Sequence, residues 1–102
     1  MAKKSKRAVI EKFVAIRRMA AEFATRCDFS PIVVKGIKKA PCICSGDLAY
    51  TTLTLRDGSD TAQTFTAFVY AAILHGAGVS HDADQDVNRE GMKTATLIFN
   101  IK

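Results

Sequence analysis

Apolar positions recur along this chain at two periods, and the periods divide it into elements. Val9, Phe13, Ile16, Ala20, Phe23 and Cys27 return every three or four residues, which predicts a helix over Arg7–Cys27. Ile10, Val14 and Ala21 widen its apolar face. Pro31 disfavours a helical Ser30 and ends the helix. The β-branched run IVVKGI, Ile32–Ile37, predicts a strand, with Gly36 as a bulge or a close backbone approach. Cys42–Ser45 reads either as a continuation of that strand or as a loop. Leu48–Arg56 predicts a second strand, with Leu53 and Leu55 toward the core and Thr52 and Thr54 outward.

The chain is organised around Thr61–Gly76, TAQTFTAFVYAAILHG, which predicts a second helix. Asp60 is placed to cap it, with Gln63 completing a capping-box pattern, and Gly76 suits the left-handed position after its end. Ala62, Phe65, Val69, Ala72, Ile73 and Gly76 form the expected core stripe, widened by Phe68. No Asp, Glu, Lys or Arg occurs from Thr61 to Ser80. A helix without a charged side is covered all round. Gln63, Ala67, Tyr70, Ala71 and Leu74 are therefore expected to meet a second helix or another copy of the chain, and Ala67, Tyr70, Ala71 and Leu74 are the packing or dimer candidates. Gln63, His75, the threonines and the shortness of the run argue against a membrane span.

Ala77–Gly91 predicts a long polar connection, and Lys93–Ile101 a last strand with Ala95, Leu97, Phe99 and Ile101 inward. The pieces assemble as an α+β, two-layer sandwich in the order α-β-β-α-β: an antiparallel three- to four-stranded sheet with two helices on one face. Residues 1–6 are a basic flexible tail and 7–102 a single domain. An exposed sheet edge together with the uncharged helix leads to the expectation of a homodimer.

Charge changes this picture. The net charge is +5, but residues 1–39 hold eleven Lys or Arg against three acids, and residues 40–102 hold four against seven. Arg7, Glu11, Arg18, Glu22 and Arg26 alternate in sign at i, i+4, so this stripe is expected to neutralise itself in part. Arg17 stands apart, inside the apolar arc. The basic residues left over, Lys3, Lys4, Lys6, Arg7, Arg17, Lys35, Lys38 and Lys39, form one surface if the N-terminus lies near the end of the first strand. Such a patch is the electrostatic footprint of phosphate-backbone binding. The alternative is a protein-interaction module, an inhibitor or adaptor of viral or mobile-element kind, that docks an acidic protein. A third class is a small-molecule binder or enzyme with Ala77–Gly91 as a lid.

Other chemistry is thinly supported. Cys42-Ile43-Cys44 lacks the paired spacing of a zinc site, even with His75 and His81 counted, and buried inert thiols are the expectation. Asp82, Asp84 and Asp86 imitate the start of a calcium loop, but Val87 replaces its glycine and Lys93 its closing glutamate. No nucleophile–base motif or phosphate loop is present, so no catalytic residue, metal or cofactor is assigned. Three cysteines are an odd number, which suits a reducing cytoplasm, and the basic N-terminus has no leader-like apolar run.

Overall fold

In a computed structural model of the protein, residues 6–46, 48–55, 58–87 and 93–101 are described, with side chains for all of these except 53–55, 58–59, 81–87 and 93–95. The predicted inward positions Leu53, Leu55 and Ala95 therefore lie outside the described side chains, as do His81, Asp82, Asp84 and Asp86.

Helix α1 (Lys6–Arg26) buries Val9, Phe13, Ile16, Ala20, Ala21 and Ala24. The core line turns toward Ala24, leaving Phe23 half-buried and Cys27 exposed. Its end is closed by the Phe29 amide donating to the Ala24 carbonyl at 2.9 Å and the Asp28 amide to the Thr25 carbonyl at 3.2 Å. Asp28 adopts the left-handed conformation (φ 56°) that this double closure needs. The chain thereby reverses and enters helix α2 (Pro31–Lys38).

Helix α2 corrects the expected strand over Ile32–Ile37. Pro31 occupies the first helical turn, where its fixed φ favours a helix and its missing N–H costs nothing. Val33 and Ile37, four residues apart, are buried against α1 and α3, and Val34 is half-buried. That one-sided burial overrides the β preference of a branched run. The Ser30 amide, left over at the helix start, donates to Gln63 Oε1 at 3.2 Å. Gly36 lies in the helix interior, at neither a bulge nor a close approach: a Cβ built there meets nothing within 4 Å.

The sheet follows: β1 (Ile43–Ser45), β2 (Leu48–Leu55), then α3 (Gly58–Leu74), β3 (Gly78–Val87) and β4 (Lys93–Asn100). It is four-stranded, in the order β1-β2-β4-β3, and antiparallel throughout. Gly46, at φ 60°, turns the β1–β2 hairpin. Within the stretch read as a polar connection, Gly78–Val87 is edge strand β3, with Val79 opposite Phe99, His81 opposite Leu97 and an irregularity between Ala83 and Val87, while Asn88–Gly91 lie outside the described residues. The ladder is a backbone matter, and an outermost strand tolerates charges that an inner one would reject. The fold is α+β as expected, and the described residues form three helices and four strands in the order α-α-β-β-α-β-β.

Ala49, Thr51, Leu97, Phe99 and Ile101 point to one face of the sheet and are buried. Phe13 of α1 meets the Phe99 ring edge-on at 5.5 Å between centroids, and Phe68 of α3 meets it at 5.6 Å. Both helices therefore cover the same face. Helix α3 begins at Gly58, so Asp60 sits in its first turn rather than at its cap. Its end is as expected: Gly76 has φ 69°, and the Ala77 amide reaches the Ala72 carbonyl at 2.8 Å. Its rotation is not. The buried positions are Thr64, Ala67, Phe68, Ala71 and Ala72, whereas Ala62, Val69 and Ile73 of the expected core stripe are exposed. Phe65 is half-buried and Ala72 alone of that stripe is fully buried.

Replacing Gly36 by Ala is expected to raise stability by about 0.5–1 kcal/mol, because α2 gains helix propensity and has room for the methyl group. Urea unfolding measures it; a loss of stability would mean that this segment is not helical.

Candidate functional site

The polar side of α1 neutralises itself only near its start. Arg7 Nε and Glu11 Oε1 pair at 3.2 Å, but both side chains are largely in water, where such a pair contributes little. Among the described residues, neither Arg18 nor Arg26 forms an ion pair with Glu22. These arginines retain their charge for another partner.

The reversal at Asp28 lays α2 back along the C-terminal half of α1. Lys35 and Lys38 fall in its last turn, where the helix dipole favours cations. Between the helices runs an open groove of about 660 Å³. Its apolar floor includes Val14 and Ala21, and its cationic lining is Arg17, Arg18 and Arg26 from α1 and Lys38 from α2. Glu22 is the one acid in that lining. A second open groove, of about 420 Å³, shares Thr25 and Lys38 with the first and adds Lys35 and Asp28. The two grooves together are lined by five cations and two acids.

The sequence-predicted basic residues divide into four sets. Arg17, Lys35 and Lys38 line the grooves, and Lys39 is exposed at the end of α2 but lines neither. Lys6 and Arg7 are exposed in the first turn of α1. Arg7 precedes Arg18 by eleven residues, three helical turns or about 16 Å, so it continues the same stripe. Lys3 and Lys4 lie outside the described residues. Arg18 and Arg26 were missed as candidates, since their spacing to Glu22 implied self-pairing. Only the return of α2 makes them part of a concave surface.

Arg17 has a second task. Its Nη1 donates to the Ala40 carbonyl at 2.7 Å, and its guanidinium carbon lies 5.7 Å from the Phe13 ring centroid. It thus ties the middle of α1 to the connection between α2 and β1. Just beyond that tie, Cys42 and Cys44 bring their sulfurs to 3.6 Å, both half-buried. Burial foremost, then the hydrogen bond and charge of Cys44, push the Cys42 thiol up to about 11, against a smaller opposing pull from Arg17. Among the described residues, no three His, Cys, Asp or Glu side chains gather as metal ligands would.

The helix-packing candidates also divide. Ala67 and Ala71 are fully buried, and Tyr70 stacks on Phe23 of α1 with centroids 4.2 Å apart. Leu74 is 56% exposed and Ile73, one residue before it, 66%. With Val69 and the outer side of Tyr70 they make an uncharged apolar strip on the outside of α3. No helix among the described residues is long and apolar enough to cross a membrane. The chain matches no family model, no curated protein sequence and no solved structure.

Arg17→Met is expected to cost about 1.5–3 kcal/mol, since it keeps the aliphatic stem but leaves the carbonyl of buried Ala40 without its charged donor. The midpoint of urea unfolding reads this directly, and an unshifted midpoint would remove Arg17 from the account of the fold.

Proposed function

We propose that this chain is a non-enzymatic binding protein that holds the phosphate backbone of a nucleic acid along the two grooves between α1 and α2. The observation that carries the reading is the lining: Arg17, Arg18, Arg26, Lys35 and Lys38 against Glu22 and Asp28, along two grooves that share Lys38. Guanidinium groups present forked donors to phosphate oxygens, and ammonium groups add point charge. A concave surface of one sign concentrates polyanions near it. Lys6 and Arg7, with Lys3 and Lys4 ahead of them, extend the contact along the stripe of α1.

Binding that neutralises four phosphates should weaken about 100-fold between 50 and 200 mM salt. Fluorescence anisotropy with mixed-sequence DNA and RNA measures it. Combined Arg18→Glu, Arg26→Glu and Lys38→Glu should abolish binding while leaving the circular dichroism spectrum unchanged. No affinity at low salt, or affinity indifferent to salt, would reject the reading.

A protein partner is the second reading, and the apolar strip on α3 favours it. We assign that strip to a second copy of the chain. Each copy carries a net charge of +5, so like copies repel broadly, yet Val69, Tyr70, Ile73 and Leu74 offer a strip free of charge. Two such strips meeting across a two-fold axis are self-complementary by symmetry. Sedimentation over a concentration series should show a dimer that Ile73→Glu converts to monomer. A wild-type monomer at every concentration would overturn the assignment, leaving an acidic protein partner as the remaining form of this reading.

A further inference from the structure

The two sulfurs of Cys42 and Cys44 are in van der Waals contact, 3.6 Å apart, at the point where the helical layer passes into the sheet. We propose that they form a reversible dithiol–disulfide couple that exchanges with low-molecular-weight disulfides. Cys27, the remaining cysteine, is exposed beyond the end of α1. It stands ten residues from Arg17, about 15 Å along the helix, whereas the pair lies beside Arg17. The inference is independent of nucleic-acid binding.

The backbone decides what kind of disulfide forms. Two residues apart in extended chain, the Cα atoms are separated by about 6.4–6.8 Å. A disulfide spans at most about that distance. Closure therefore falls at the long limit of the range, where the bond is strained unless the backbone shifts, and the segment permits a shift. Cys44 is held in the ladder opposite Ala49, but Cys42 precedes β1 and belongs to no ladder. Strand β1 is itself a three-residue edge, paired on one side only, to β2. A bond that closes under strain is readily reduced again, which separates an exchanging couple from a structural staple.

Either thiol opens the exchange once it is deprotonated, and the steps through Cys44 are these. The Cys44 thiolate attacks one sulfur of a disulfide RSSR such as oxidised glutathione. One RS⁻ leaves and takes up the proton that Cys44 released, and Cys44 carries the mixed disulfide. Cys42 then loses its proton and attacks the Cys44 sulfur, expelling the second RS⁻, which takes up that proton. Two protein thiols are oxidised to one disulfide and RSSR is reduced to two RSH. The positive charge of Arg17 steadies the Cys42 thiolate at the moment it forms.

The full chain carrying Cys27→Ser, equilibrated across glutathione buffers of rising oxidised fraction, quenched in acid and alkylated, tests this by mass spectrometry. Both remaining thiols should disappear together, with the loss of two hydrogens and no added glutathione, and excess reduced glutathione should restore both. Adding Cys42→Ser should trap glutathione on Cys44. Adding Cys44→Ser should trap it on Cys42 instead. Persistent glutathione adducts when both cysteines are present, or two thiols unchanged across the series, would overturn the proposal.

Discussion

The structure depends on one ring held by two others. Phe99 lies in β4, an inner strand of the sheet, and receives Phe13 from α1 and Phe68 from α3 at nearly equal distances. All three rings are fully buried. Edge-on and tilted aromatic contacts of this kind add about 0.5–1.5 kcal/mol each beyond the area they bury. They also fix a direction, because each helix is located by where its phenylalanine must point. Small residues complete the layer: Ala20, Ala21 and Ala24 on α1 and Ala67, Ala71 and Ala72 on α3 are buried and allow the two helices to lie close on the sheet.

With that layer set, α2 has one place to go. Asp28 turns the chain in a left-handed conformation, and the Ser30 amide is received by Gln63 on α3. Val33 and Ile37 then pack against α1 and α3, which carries Lys35 and Lys38 back over the C-terminal half of α1. The concentration of positive charge is a consequence of this reversal rather than of any one charged run. Arg17 serves both sides of it, lining the groove while gripping the Ala40 carbonyl.

The groove cations lie between α1 and α2, whereas the apolar strip of Val69, Tyr70, Ile73 and Leu74 lies on the outward side of α3. The sheet face away from the helices is less purely threonine than its pattern implied. Ile43 pairs in register with Tyr50, and Tyr50 with Ile98, so an apolar row crosses it beside the Thr52–Thr96 contact at 3.5 Å.

Local pattern was enough to read the long first helix, the inner strands, the cap at Gly76 and the α+β class. In each of these the polar and apolar positions alternate with a period that admits one geometry, as the burial of Leu97, Phe99 and Ile101 illustrates. The same pattern misled where a side chain's preference was weaker than its neighbours' demands. Ile32–Ile37 has the composition of a strand, yet burial of Val33 and Ile37 on α1 and α3 makes it a helix. Gly78–Val87 is too polar to signal a strand, yet pairing with β4 satisfies its backbone. Thr61–Leu74 is uncharged on every side, so its own residues set its rotation only weakly. Phe68 reaching Phe99 sets it, and turns Ile73 and Leu74 outward. The stretch of chain dictated that this helix would exist and carry no charge. Which of its sides faces water was decided by the ring it had to meet across the core, because packing is a relation between elements and is written in neither one alone.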